Sequence, residues 1–228
     1  MRARGLEGTS GFTDFVFEVS GFDFQYYRFG LGSVSDMKNE IITYTLYAGP
    51  NGAGKTTLYK AAFVDPGEKR VNSDEILKEN GGDWKNQKDQ FHAMKEAARR
   101  IRTYINQGIS FNQETTLAGK SIFGMIRKAR ECGYTINLYY IGLADENLAV
   151  RRVMERERNG GHGIPEEDIR RRYRSSMENL NKIIPLCDNI EIYDNTIKFY
   201  EVAKKINGIW MKFDEHCMWL SKNVQFDS

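Results

Sequence analysis

The fold is decided by the stretch Gly49-Pro50-Asn51-Gly52-Ala53-Gly54-Lys55-Thr56, which matches the pattern GxxxxGK[ST]. In this pattern, glycines let backbone N–H groups converge on phosphate oxygens, and the dipole of the following helix adds to the attraction. The ammonium of Lys55 would reach the β- and γ-phosphates, and the hydroxyl of Thr56 would ligate Mg²⁺. We therefore predict a nucleotide site made of these eight residues together with Thr57.

The segments on either side of this loop fit the pattern. Residues 41–48 are rich in β-branched and aromatic side chains, which indicates a buried strand, and the segment after Thr56 is apolar enough for a helix. Strand-like and helix-like segments continue to alternate, including a helix predicted over residues 84–107 with Gly108 as its C-terminal cap. We expect an α/β, three-layer P-loop NTPase or kinase-like fold, with a parallel sheet of about five strands and helices on both faces.

Composition excludes several classes of protein. The chain has 228 residues, and 33 Lys and Arg against 31 Asp and Glu leave a net charge of +2. Such a balance provides no overall field for nucleic acid or anionic lipid, so we expect neither as a partner. No apolar run reaches the length of a membrane span. Cys132, Cys187 and Cys217 are widely spaced, which favours a reducing compartment, and we expect a cytoplasmic location.

One acidic residue ends the next short predicted strand. Residues 69–74 have the character of a short strand that ends in an acid, Asp74. As a general base, Asp74 would take a proton from the hydroxyl of an acceptor molecule. Alternatively, Ser73 or Asp74 only caps the following helix. The residues alone leave both roles open.

A second acidic residue ends the strand that is expected to lie beside the loop. Glu114 could bind a substrate hydroxyl or lie near Mg²⁺, and Thr115 and Thr116 could supply hydrogen bonds. Capping of the helix that follows is again the alternative.

The apolar segment 138–143 reaches Asp145 only after a gap, so it does not form a hydrophobic strand that ends directly in Asp. That favours a small-molecule kinase over a motor protein, GTPase or transport ATPase.

An arginine-rich segment follows. Asp145 is predicted to cap one helix, and a second begins near Pro165 after the glycine-rich segment 159–163. Eight arginines occur between residues 151 and 174, of which Arg152 and Arg156 are spaced to share a helix face. Residues 151–180 are therefore predicted to form a lid whose guanidinium groups neutralise a transferring phosphoryl group. The alternative is a solvated pair of helices held by ion pairs.

Four segments together resemble the zeta-toxin-like P-loop kinases, the UDP-N-acetylglucosamine kinase group. They are residues 47–58, 71–76, 111–119 and 160–173, and they occur in the family's order across residues 41–195. The more specific of them contain Glu114-Thr115-Thr116-Leu117-Ala118-Gly119 and Gly160-Gly161-His162-Gly163-Ile164-Pro165-Glu166.

The resemblance implies transfer of the γ-phosphate of ATP or GTP, with Mg²⁺, to a hydroxyl of a UDP-linked N-acetylhexosamine. It assigns catalytic roles to Lys55, Asp74, Arg156 and Arg172, and it implies substrate contacts from Asp74, Glu114, Thr115 and Arg152. In toxin–antitoxin versions of the family, an antitoxin protein blocks the nucleotide site. Two alternatives stay open: a kinase for another hydroxylated acceptor (an antibiotic, sugar acid or nucleoside), and a non-catalytic module that binds a nucleotide or an antitoxin.

The two ends of the chain differ from this central part. Residues 1–36 hold eight Phe and Tyr residues, and the alternating patterns 15–19 and 22–26 around Ser20-Gly21 predict a hairpin. We expect a kinase domain over residues 37–228 and an extension, accessory or non-native, over residues 1–36. The tail with Trp210, Phe213 and Trp219 is predicted to be a packing helix.

Overall fold

The structure, a computed structural model, describes residues 5–6, 14–15, 41–62 and 68–224. The chain divides into two units, Met1–Asn39 and Glu40–Ser228. In the first unit, strands β1 (Gly5–Leu6) and β2 (Asp14–Phe15) pair in antiparallel fashion. The hairpin predicted over residues 15–26 falls almost entirely outside the described residues. The domain boundary predicted at residue 37 stays a prediction.

The second unit is built on one sheet with the order β4-β5-β3-β6-β7-β8-β9. The strands from β4 to β7 in that order run parallel, and β8 and β9 extend the sheet in antiparallel fashion. The bounds of these strands are β3 Thr43–Ala48, β4 Lys69–Val71, β5 Phe111–Thr115, β6 Thr135–Gly142, β7 Asn189–Asp194, β8 Tyr200–Ile206 and β9 Ile209–Phe213. The five predicted parallel strands are confirmed, and the antiparallel pair is an addition.

Seven α-helices are described in this unit, and their ends follow local sequence. Side chains of Asn86 and Asp145 accept hydrogen bonds at the starts of α3 and α5, and Gly108 ends α3 with a φ of 65°. The bounds are α1 Lys55–Ala61, α2 Ser73–Glu79, α3 Gln87–Gln107, α4 Ser121–Glu131, α5 Glu146–Arg158, α6 Glu166–Ile183 and α7 Met218–Asn223. Among the residues that the structure describes, no helix combines the length and apolar character needed to cross a membrane.

Helices cover both faces of the sheet. Tyr44, Leu46 and Ala48 of β3 belong to a core that includes buried residues of α2, α3, α4 and α7. Tyr47, between them in the sequence, belongs to a second core with buried residues of α1 and α5. Because successive side chains of a strand point to opposite faces, these two cores confirm the predicted three-layer architecture.

Helix α3 forms as predicted, but the face towards the core is only partly the expected one. The spacing of apolar residues predicts a stripe made of Phe91, Met94, Ala98, Ile101 and Ile105. Ile101 and Ile105 are buried, as this stripe predicts. Phe91 and Met94 are 61% and 56% exposed, and Ala93 and Ala97 are buried in their place.

The helix predicted for the tail is wrong over residues 209–213. Asn207 and Gly208 have φ angles of 48° and 84° and join β8 to β9, with Ile206 opposite Ile209. Asn-Gly is the strongest short hairpin signal, because both residues tolerate positive φ. Trp210 and Phe213 therefore lie on a strand, whereas Trp219 is buried on α7.

Sheet register brings the predicted site segments together. Ala48, the last residue of β3, lies opposite Thr115 of β5, and Val71 of β4 lies opposite Gln113. Strand β3 has β5 on one side and β6 on the other, so the loop after β3 leaves the sheet where the strand order reverses. Ligands of open α/β sheets bind at this point.

Candidate active site

The loop between β3 and α1 is shaped by its glycines. Gly49 has a φ of 141°, and a Cβ there would clash with the carbonyl oxygen of Ile141 on β6. Gly54 precedes α1 with a φ of 98° and no side-chain cap, and the first turn of α1 has no acidic residue. The first N–H groups of α1 are therefore open to an anion at the positive end of the helix.

Lys55 is buried within the loop that it follows. Its Nζ donates hydrogen bonds of 2.9 Å each to the carbonyl oxygens of Gly49 and Pro50. Burial lowers the pKa of Lys55, and the negative charges of Glu114 and Asp74 act in the opposite direction. The ammonium is thus pre-positioned against the loop. Because both of its partners are uncharged, an anionic phosphate oxygen would form the stronger hydrogen bond and replace them.

Thr56 contacts the carboxylate predicted at the end of β5. Its hydroxyl donates to the two oxygens of Glu114 at 2.9 and 3.1 Å. A hydroxyl beside one carboxylate is the oxygen donor set that Mg²⁺ takes in nucleotide sites, where substrate phosphates and water complete the shell. Among the described residues, no group of three or more His, Cys, Asp or Glu could hold a metal on its own. The donors present therefore fit a nucleotide-bound Mg²⁺.

Arg70 of β4 is a site residue that the sequence analysis missed. Its Nη2 lies 2.6 Å from the Glu114 carboxylate, its Nε lies 3.0 Å from Glu75, and its guanidinium carbon lies 3.5 Å from the centre of the Tyr59 ring. The Arg70 and Glu114 side chains are 11% and 12% exposed. Arg70 therefore fixes Glu114 beside Thr56, across a separation of 44 residues that no local pattern reveals.

Asp74 is free of the capping role considered for it. The cap of α2 is Asn72, whose side chain accepts from the backbone N–H of Asp74. Capping by Ser73 or Asp74 is therefore wrong, and the Asp74 side chain is exposed and lines two cavities. Thr115 has a different local task, because its hydroxyl accepts a hydrogen bond from the backbone N–H of Leu117.

The first of these cavities, the loop cavity, brings most predicted site residues together. It measures about 480 Å³ and extends along the loop to the ends of β4 and β5. Its lining includes these predicted residues: Asn51, Gly52, Lys55, Asp74, Glu114, Thr115, Arg156 and Arg172. One end of the predicted lid thus faces the loop and both carboxylates.

The arginines between residues 151 and 174 separate by their partners. Arg170 and Arg174 pair with Glu146, and Arg171 pairs with Asp168. Arg156 donates to the carbonyl oxygen of His162 at 3.0 and 2.6 Å. In the part of the chain that the structure describes, neither Arg156 nor Arg172 has a carboxylate partner, which leaves their charge available to an anion.

Arg152 lies apart from the other predicted substrate contacts. Its guanidinium donates to the carbonyl oxygens of Gly52 at 3.4 Å and Thr196 at 3.2 Å. These bonds connect α5 to the loop and to the segment after β7. The described lining of the loop cavity does not include Arg152, and its contact with substrate stays a prediction.

Asn195, just after β7, is a second residue that the sequence analysis missed. Its Nδ2 donates to the carbonyl oxygen of Ala53 in the loop at 2.9 Å, and its backbone N–H donates to Gly142 at 3.1 Å. Its neighbour Asp194 is buried and accepts a 2.9 Å hydrogen bond from Nε1 of Trp219. The loop is thus held by the end of β7, which is in turn held by α7.

The second cavity, the Trp84 cavity, measures about 320 Å³ and shares Asp74 and Arg172 with the loop cavity. Its walls come from α2, from the connection between α2 and α3, from α3, and from α6 with the segment before it. The rings of Trp84 and His162 lie 5.2 Å apart there. Burial lowers the pKa of His162, with the charge of Asp74 opposing the shift and those of Arg156 and Arg172 adding to it.

Solved structures with this fold include nucleotide-binding and toxin–antitoxin assemblies. The AvrRxo1-ORF1:-ORF2 complex with ATP superposes with a TM-score of 0.61 at 17% identity, covering 80% of this chain and 63% of the other. The PezAT chromosomal toxin–antitoxin system of Streptococcus pneumoniae gives a TM-score of 0.53 at 16% identity, covering 83% of this chain and 81% of the other. This chain thus spans less than two thirds of the AvrRxo1 chain. The likenesses show a P-loop kinase-like fold.

Sequence comparison gives the family. An uncharacterized protein of Haemophilus influenzae is 32% identical over 137 residues, which cover 60% of this chain and 94% of the relative. The family model AAA_33, described as an AAA domain, matches residues 45–180, which is more than half of the chain. That match contains the loop, Asp74, Glu114, Arg156 and Arg172, and the chain belongs to the AAA_33 family of AAA domains.

Proposed function

We propose that the protein is a kinase that transfers the γ-phosphate of ATP or GTP to a hydroxyl of a UDP-amino sugar such as UDP-N-acetylglucosamine. The observation that carries the proposal is that Lys55, Asp74, Glu114, Arg156 and Arg172 line one cavity around the loop. A nucleotide-binding module needs the lysine but has no use for an exposed carboxylate that lines both this cavity and a second one. The UDP-amino sugar comes from the resemblance of the sequence motifs.

In the proposed reaction, the acceptor hydroxyl oxygen bonds to the γ-phosphorus while the bond from that phosphorus to the β,γ-bridging oxygen breaks. The hydroxyl proton passes to the carboxylate of Asp74, and the nucleoside diphosphate leaves. Lys55 and the guanidinium groups of Arg156 and Arg172 stabilise the negative charge on the phosphate oxygens. Thr56 and Glu114 would hold Mg²⁺, which neutralises phosphate charge when it is bound.

The test is incubation of the full chain with Mg-ATP or Mg-GTP and a panel of UDP-sugars. We expect a UDP-amino sugar to gain the mass of one phosphoryl group, and we expect the Asp74→Asn variant to lose this product while still binding ATP. ATP binding without phosphorylation of any UDP-sugar would reject the UDP-sugar assignment. Failure to bind either nucleotide would reject the kinase proposal as a whole.

A protein partner is a second candidate, favoured by the structural likeness to the PezAT toxin–antitoxin system. In this version of the proposal, an antitoxin covers the loop cavity and excludes the nucleotide. Expression of the chain with and without a small protein encoded beside it would test the idea. Growth inhibition relieved by that protein, and ATP binding blocked by it, are the expected results; unaffected growth would contradict them.

A further inference from the structure

The two cavities differ in charge although they share Asp74 and Arg172. Four cationic side chains and two carboxylates are found among the described residues that line the loop cavity: Lys55, Arg156, Arg171 and Arg172 against Asp74 and Glu114. In the described lining of the Trp84 cavity, two cations (Lys85 and Arg172) face two carboxylates (Asp74 and Asp168). The loop cavity suits polyanionic phosphates, whereas the Trp84 cavity offers no excess charge to an ionised ligand.

Six apolar side chains line the Trp84 cavity. They are Leu77, Trp84, Ala93, Met94, Ile164 and Pro165. The Trp84 ring packs against the main core and lies 5.2 Å from the His162 ring. The backbone carbonyl oxygen of Trp84 accepts a hydrogen bond from the Gln90 side chain. Because the ring is already packed, a ligand does not have to order it.

Hydrogen-bonding groups line the same cavity. Ser73, Gln87 and Gln90 line the cavity, and the Gln87 amide is exposed at the start of α3. Asp168 is held in a 2.7 Å ion pair with Arg171, which leaves Asp74 as the carboxylate able to receive a proton. A fixed aromatic ring, neutral amides and balanced charge are what recognise an uncharged ring that carries several hydroxyl groups.

We propose that the Trp84 cavity binds the sugar ring that carries the acceptor hydroxyl, and that Trp84 determines acceptor specificity by packing against the ring's apolar face. The proposal rests on the proposed kinase function and deepens it, because it names the part of the acceptor that reaches Asp74. The volume of about 320 Å³ accommodates one sugar ring, and small-ligand pockets begin at about 300 Å³. An acceptor whose reacting part carries a carboxylate is disfavoured.

The experiment compares wild-type protein with Trp84→Leu and Trp84→Phe, each at saturating Mg-ATP. The probes are UDP-N-acetylglucosamine, N-acetylglucosamine and gluconate, followed by phosphorylation and by ligand-detected NMR binding. We expect Trp84→Leu to raise the acceptor KM, or the dissociation constant of the acceptor, about tenfold, because it removes the aromatic contact. Trp84→Phe should restore most of the lost affinity, because it keeps an aromatic ring. The KM for ATP, measured separately at varied ATP and saturating acceptor, should not change. Phe91→Ala, exposed on α3 and absent from the described lining of both cavities, is the matched control.

Three outcomes would overturn the proposal: an acceptor KM that Trp84→Leu leaves unchanged, an equal rise in the KM for ATP, or preference for gluconate. If the wild type binds ATP but neither amino-sugar probe, the proposal for the Trp84 cavity is also rejected. The kinase proposal is then judged separately, by nucleotide binding. If Trp84→Leu does not fold, Gln87→Ala replaces it, because Gln87 is exposed at the helix start. A rise in acceptor KM supports the proposal, and no rise contradicts it.

Discussion

The loop cavity and the Trp84 cavity meet at Asp74, but they are built in different ways. The loop cavity depends on backbone geometry and on charged side chains held by distant partners, as Glu114 is held by Arg70. The Trp84 cavity is walled mainly by side chains of α3 and of the segments before α3 and α6. Its lining is apolar and amide-rich rather than cationic.

Under the proposed function, this difference separates two requirements of a kinase. Phosphate chemistry is the same for every acceptor, so it uses a backbone loop and a few cations that recur as a motif. Acceptor recognition is individual, and in the proposal it depends on Trp84, which lies outside the four motif segments. Each of the following experiments asks whether the two cavities act separately, from the largest expected effect to the smallest.

Replacement of Asp74 by Asn tests the junction of the cavities. We expect phosphoryl transfer to fall about 10²- to 10⁴-fold, the usual range for loss of a general base, while both ligands still bind. Single-turnover kinetics and ATP titration would measure these quantities. Glu167→Gln, at an exposed carboxylate in the first turn of α6, is the control and should behave as wild type. Equal turnover by the two variants would remove Asp74 from the mechanism.

Replacement of Arg70 by Met tests the support of the loop cavity. Glu114 would stay largely buried without its cation, and we expect the free energy of unfolding to fall by about 3 kcal/mol. Activation by Mg²⁺ should need a higher concentration, because Glu114 is no longer fixed beside Thr56. Chemical denaturation and Mg²⁺ titration are the measurements. Arg99→Met, which breaks an exposed pair with Glu96, is the control. It should change neither the free energy of unfolding nor the Mg²⁺ concentration needed for activation.

Replacement of Lys55 by Met tests whether phosphate binding is confined to the loop cavity. We expect ATP to bind roughly 10- to 100-fold more weakly, as a hydrogen-bonded cation is lost. Binding of N-acetylglucosamine in the Trp84 cavity should be unchanged. Calorimetric titration of both ligands would show this, with Lys60→Met on the exposed face of α1 as the control. Weaker sugar binding in the Lys55 variant would mean that the cavities are not separable.

Replacement of His162 by Gln tests the Trp84 cavity through pH. Burial lowers the pKa of His162, so the unfolded chain takes up its proton at higher pH than the folded protein. As pH falls through about 6.5, the unfolded state binds more protons and the free energy of unfolding decreases. Denaturation at pH 7 and pH 5 should show that the free energy of unfolding falls less in His162→Gln than in the wild type. His92 is exposed on α3, and His92→Gln should lose as much unfolding free energy as the wild type. If His162→Gln also loses as much as the wild type, the pH dependence does not come from His162.

Local sequence was sufficient for most of the elements and for the loop. Asp145 and Gly108 act as helix caps because their roles depend on neighbours along the chain. The Asn207-Gly208 hairpin had a local signal as well, but the aromatic residues after it suggested a helix. Arg70 and Asn195 escaped detection, because their partners Glu114 and Ala53 are 44 and 142 residues away and only strand order brings them together.

The Trp219–Asp194 hydrogen bond has a practical consequence for work with this protein. Helix α7 lies near the end of the chain, yet Trp219 holds Asp194, and the adjacent Asn195 holds the carbonyl of Ala53 in the loop. A truncation that removes α7 would therefore remove the support of Asp194, next to the residue that holds the loop, without deleting any residue of the site. A shortened version made for crystallisation would understate nucleotide affinity, whereas a tag attached beyond residue 224 would leave this connection in place.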